Sequence, residues 1–99
     1  MDSIREIGDR ALACAVKRGK IDLSWEYDKK IKAQRRAILE EAEELVSATF
    51  ATSKHVEYSE IVEELADVFI SASTLCAILG VPMEEVIEKK MKYNETRER

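Results

Sequence analysis

The chain has 99 residues, 45% of them hydrophobic and 36% charged, with a net charge of −4. That composition suits one soluble folded domain rather than a disordered segment, and the negative balance excludes broad binding to nucleic-acid phosphates. Three glycines, one proline and a single histidine, His55, leave no glycine-rich phosphate loop, no Cys/His zinc cluster and little for a histidine-based triad.

The N-terminal MDSIREIGDR is charged where a secretory leader is apolar. Ser3 followed by Glu6 is a capping-box pattern, so a first helix is expected from there to Gly19. Ser24 is the expected N-cap of a second helix from about Trp25 to Phe50, with Ala51–Tyr58 as the connection. Ser59 caps a third helix whose early Glu60, Glu63 and Glu64 complement the helix dipole; Gly80 ends it. Pro82 is expected to open a fourth helix that reaches into the terminal NETRER. No stretch alternates with period two, so the expected fold is all-α, a four-helix domain over residues 1–99.

The longest uncharged run, Val68 to Met83, has 16 residues and contains Ser, Thr, Gly and Pro. A membrane span needs about 20 mostly apolar residues, so a buried helix is expected and no membrane partner. Cys14 and Cys76 lie far apart in apolar helical context, which predicts buried thiols in a reducing cytoplasm.

The second helix carries an apolar stripe at Ile31, Ile38, Ala42, Leu45 and Thr49, interrupted by Gln34 and Arg35. The third is apolar nearly all round: Ile61, Leu65, Val68, Phe69, Leu75 and Leu79 on one face, Val62, Ile70 and Ile78 on the rest. A four-helix chain of this length can hardly enclose such a helix alone, the alternative being an unusually apolar monomeric core. A homodimer or homotetramer that shares the third helix at its interface is therefore expected.

Acid is concentrated between Glu40 and Asp67, where nine carboxylates face one lysine; those 28 residues carry −8 and the other 71 carry +4. Glu41 and Glu44 are three apart on the second helix, as are Glu64 and Asp67 on the third, so each pair is a surface neighbour pair. On antiparallel helices the two pairs can converge, whereas Glu40 and Glu43 point to the far face. Glu60, Glu64, Asp67, Ser71 and Thr74 form a polar row on the otherwise apolar third helix. Two like charges about 5 Å apart repel by roughly 3 kcal/mol at an effective dielectric of 20. Protonation or a divalent cation relieves that repulsion, and all-oxygen ligands select a hard ion, Mg²⁺ or Mn²⁺. Lys90, Asn94 and Arg97 share one face of the last helix, either as phosphate ligands or as ordinary solvated charge. Trp25 and Tyr27 open the second helix, where an aromatic face either stacks on a base or packs against a neighbour.

The motif Glu40-Glu41-x-x-Glu44, nineteen residues, then Glu64-x-x-Asp67 resembles the signature of the MazG-like all-α nucleoside triphosphate pyrophosphohydrolases. The similarity continues through Leu65-Ala66-Asp67, the Gly80-Val81 turn and the Lys90-x-x-x-Asn94-x-x-Arg97 face, covering roughly residues 38–97. The resemblance implies Mg²⁺-dependent cleavage of a nucleoside triphosphate to the monophosphate and pyrophosphate, by an oligomer in which Glu41, Glu44, Glu64 and Asp67 hold metal. It further implies that Glu40 or Glu41 activates water, while Lys90, Asn94 and Arg97 hold phosphate or sugar oxygens and Trp25 is a candidate base contact. The sibling family, phosphoribosyl-ATP pyrophosphatase, is similar in length and fold. Its members carry Lys-Val-Gly before the Glu pair and Tyr-His three residues past the Asp, where this chain has Ala37-Ile38-Leu39 and Ile70-Ser71. An alternative of another class is a non-catalytic helical dimer whose acidic patch binds a basic partner.

Overall fold

The computed structural model describes residues 3–97. Four helices follow one another: α1 (Ile4–Lys17), α2 (Tyr27–Ser47), α3 (Glu60–Leu79) and α4 (Met83–Thr96). The all-α expectation holds. Among the described residues the only strand-like feature is one isolated bridge between Thr52 and Ser59.

Local chemistry explains most of the boundaries. Ser3 and Glu6 form the capping box at the start of α1, each satisfying the other's backbone N–H. At the other end Gly19 sits at φ 75°, its N–H bonded to the Val16 carbonyl while the Lys20 N–H bonds to Ala15. That is a Schellman closure, for which a residue without a Cβ is suited. Ser59 caps α3 through the Val62 N–H, and Gly80 ends it at φ 67°. Two expectations need correction. Ser24 does not cap α2: its N–H and hydroxyl both bond Asp22 Oδ1, making a turn, and the helix starts three residues later at Tyr27, without a side-chain cap. Pro82 precedes α4 rather than opening it, because its ψ of 81° is not helical.

α3 is the spine, with α1 on one side and α2 on the other. The α1 crossing is close because of Gly8: a methyl there would run into the Ser73 carbonyl oxygen, and Ala77 lies just beyond. α4 leaves α3 at a bend of 112° and touches mainly α1, where Glu84 accepts the Ile4 N–H at 3.0 Å. The α2–α3 connection is tied to α3: the Ser53 hydroxyl donates to Glu63, and His55 Nδ1 lies 3.1 Å from the same carboxylate.

Apolar packing is incomplete in one chain. Ile21 is the one large apolar side chain that is buried among the described residues, while Phe69 is 66% and Phe50 87% exposed. Val62, Leu65 and Ile70 on α3 are also exposed. The radius of gyration is 15.1 Å, against about 13 Å for a compact domain of this length. The expected buried thiols are not both buried either; Cys14 is exposed and Cys76 half-buried, because α1 is covered on only one side. No single described helix is long and apolar enough to cross a membrane.

Candidate functional site

Two helix faces generate the acidic site. Glu41 projects from the second half of α2, Glu64 and Asp67 from the first half of α3, and one carboxylate oxygen of each lies within 4.8 Å of the others. Glu44, one turn beyond Glu41, adds its charge to all three. Three of the four motif carboxylates, Glu41, Glu64 and Asp67, are thus brought together, while Glu44 is exposed and outside that group.

The cluster is electrostatically uncomfortable. Burial raises the Glu41 carboxyl above its ordinary value, and the charges of Glu44, Asp67 and Glu64 raise it further. Glu64 is raised by the same kind of desolvation, with Asp67 and Glu44 adding to it. Asp67 is raised by burial and by Glu63 and Glu44, although Arg18 and Lys20 pull it back. Glu41 Oε2 and Glu64 Oε2 are buried without any hydrogen-bond partner. Buried oxygens are normally paired, so two orphaned ones in one acidic cluster leave its charge uncompensated within the chain. An all-oxygen donor set of this kind fits a hard divalent ion.

A cavity of about 490 Å³ opens beside the cluster, between α1, α2 and α3. Glu41 and Asp67 stand at its acidic part; Arg10, Arg18 and Lys20 supply the basic part. Gln34 and Ser71 face each other across the α2–α3 contact. Gln34 Nε2 donates to the Ser71 carbonyl at 2.9 Å and to its Oγ at 3.0 Å. Ala11, Ala33 and Ile70 contribute apolar wall.

The remaining expected site residues lie elsewhere. Glu40 is exposed and outside the cavity lining. Lys90 and Asn94 are exposed on α4 and Arg97 is its exposed C-cap; the Lys90 ammonium is 4.7 Å and the Arg97 guanidinium 5.7 Å from the Tyr93 ring centre. None of the three lines the cavity. Trp25 is half-buried in the turn before α2, with Lys29 over its ring at 4.3 Å, and does not line the cavity either. Sequence reasoning missed Arg18, Lys20 and Gln34. Gln34 was visible only as a polar break in an apolar stripe; its match to the Ser71 position of the α3 polar row was the available signal.

A family model described as phosphoribosyl-ATP pyrophosphohydrolase matches residues 17–94 of the chain. No curated protein and no solved structure matches it significantly. The resemblance drawn to MazG-like enzymes therefore holds for the all-α superfamily that includes both groups, while the matching family is the sibling named second above.

Proposed function

Because the chain belongs to the phosphoribosyl-ATP pyrophosphohydrolase family and has its pyrophosphohydrolase character, we propose that it hydrolyses the α–β anhydride of a nucleoside triphosphate group, releasing a monophosphate and pyrophosphate. The observation that carries this reading is the convergence of Glu41, Glu64 and Asp67 with two orphaned carboxylate oxygens. Glu41, Glu44, Glu64 and Asp67 would hold Mg²⁺ or Mn²⁺. A divalent cation in that place lowers the pKa of the attacking water and offsets charge on the phosphorus.

The water oxygen bonds to the α-phosphorus, the bond from that phosphorus to the bridging oxygen breaks, and pyrophosphate leaves with the bonding pair. Of the two glutamates implied as proton acceptors, Glu41 lines the cavity and is better placed than the exposed Glu40. Arg18 and Lys20 line the same cavity and supply positive charge for the triphosphate.

The same proposal includes a homodimer or tetramer. Within one chain, Asp67 is about 18 Å along α3 from the start of the turn that leads to α4, so Lys90, Asn94 and Arg97 reach a carboxylate cluster most simply from a second copy. Covering Phe69, Leu65 and Val62 supplies the driving force. Light scattering should give at least twice the single-chain mass of 11.3 kDa. Phe69→Glu should return it to one chain's mass, and a wild-type monomer overturns the assembly.

The family match favours phosphoribosyl-ATP as the specific substrate, whereas Ile70-Ser71 in place of Tyr-His favours a simpler nucleotide. Incubating the protein with phosphoribosyl-ATP and a panel of NTPs and dNTPs, with Mg²⁺ or with EDTA, tests both. Pyrophosphate and monophosphate released only with metal support the reading. Diphosphate plus phosphate points to a different hydrolase, and no turnover of any substrate leaves the non-catalytic helical dimer.

A further inference from the structure

Glu63 and Glu64 follow one another in the first turns of α3, and the chain treats their carboxylates in opposite ways. Glu64 Oε2 is buried with no hydrogen-bond partner, whereas both oxygens of Glu63 are taken. The Ser53 hydroxyl donates to Oε1, and His55 Nδ1 lies 3.1 Å from Oε2. An ionised carboxylate only accepts, so Nδ1 carries a ring proton and donates it to Glu63. Ser53 is only 5% exposed although it lies in the connection between α2 and α3, and its Oγ also accepts the His55 N–H at 3.1 Å. Backbone bonds brace that connection: the Ser53 N–H reaches the Tyr58 carbonyl at 2.7 Å, and the Glu60 N–H reaches Ala51 at 2.8 Å. The tether on Glu63 is therefore anchored at both ends.

What it restrains stands beside the acidic cluster. Glu63 is one turn before Asp67 on the same face, where side chains start about 5–6 Å apart. After burial, the charge of Glu63 is the strongest influence raising the Asp67 carboxyl. Released from the connection, its carboxylate has the length to swing toward the volume that Glu41, Glu64 and Asp67 share.

Mg²⁺ takes a near-octahedral shell and leaves several of its positions to water and substrate phosphate. One more carboxylate on the ion fills a position that the reaction needs. We propose that Ser53 and His55 are positioning residues that hold Glu63 off the metal site, so that the cation keeps that position open. This role for the α2–α3 connection rests on the cation reading above, but metal affinity reads it without any turnover.

The test is calorimetric titration of the whole protein, free of nucleotide, with Mn²⁺ and with Mg²⁺. His55→Ala and the double variant Ser53→Ala/His55→Ala release Glu63. Their Kd for Mn²⁺ should fall at least about threefold, because the number of carboxylates on the ion sets affinity. In a Glu63→Gln background the same substitutions should move Kd by less than about twofold, since the incoming carboxylate is gone. With saturating Mg²⁺, kcat of the released variants should drop at least about threefold although they hold the metal more tightly. If circular dichroism shows that the double variant does not fold, His55→Ala decides alone, its side chain being 80% exposed. Affinity that is unchanged or weaker in the released variants, or tighter whether or not Glu63 is present, overturns the positioning role and leaves the cation site standing. Wild type that binds neither ion overturns both. Tightening that depends on Glu63 in a protein without turnover supports the positioning role and overturns the hydrolysis.

Discussion

Along α3, Glu64 and Asp67 share a face with Ser71 and Thr74 one or two turns further on, yet their surroundings treat them in opposite ways. The hydroxyl end is satisfied from within the chain: Ser71 by Gln34, Thr74 by the Ile70 carbonyl. The carboxylate end is not, for Glu64 Oε2 has no partner and each acid there is raised by burial and then by its neighbours. Polar groups that hold two helices together are paired as the fold forms, because an unpaired one costs stability. Groups left in mutual repulsion are stabilised by opposite charge from outside the chain, and an all-oxygen cluster fits a hard cation.

Asp67→Asn breaks this contrast most directly. Turnover should fall by about two orders of magnitude or more, since metal-ion catalysis contributes several kcal/mol. The metal-free variant should melt no lower than wild type, because the substitution removes repulsion, and the stabilisation that Mg²⁺ confers by binding the folded state should shrink. Melting curves with and without Mg²⁺, beside pyrophosphate release, read both effects. Full activity in the variant removes Asp67 from the site.

Gly8→Ala probes the packed side of the comparison. A methyl facing the Ser73 carbonyl forces α1 and α3 apart; overpacking of this kind costs about 1–3 kcal/mol, or several degrees in Tm for a domain this small. Chemical denaturation measures it, and an unchanged midpoint contradicts the close crossing.

Lys90→Ala should lower kcat/KM about tenfold, equivalent to about 1.4 kcal/mol of transition-state binding, with little change in melting temperature. Exposed as Lys90 is, intact activity makes it ordinary surface charge.

The smallest effect is the one on pH. Glu41, Glu64 and Asp67 all have folded-state pKa values above the ordinary 4.5, 4.5 and 3.8. At these three groups the folded protein then binds more protons than the unfolded chain, so their contribution to stability falls as pH rises. Without metal, the contribution of these groups should be fully present below the ordinary values and lost as pH rises through the raised ones. Saturating Mg²⁺ should flatten or reverse that slope. Denaturant midpoints between pH 4 and 8, with EDTA or Mg²⁺, test the sign.

Much of this molecule is legible before folding is considered. Ser3 with Glu6, Ser59, Gly19 and Gly80 mark helix ends because capping acts through bonds to residues a few positions away. Ser24 misled for the same local reason: Asp22, two residues earlier, offered a competing turn. Pairing of Glu41 with Glu44 and of Glu64 with Asp67 likewise follows from the helical repeat alone.

What spacing cannot decide is how the helices cross. Gly8 meeting Ser73, Gln34 meeting Ser71, and Glu41 meeting Glu64 and Asp67 each depend on axes brought together from segments more than twenty residues apart. The same crossings gather Arg18 and Lys20 round the cavity and leave Lys90, Asn94 and Arg97 outside it. Local sequence determined the helices and their acidic faces, because backbone bonding and the helical period are short-range. The tertiary structure decided which faces meet, because that depends on the side chains that two distant helices can pack together without a gap or an unpaired charge.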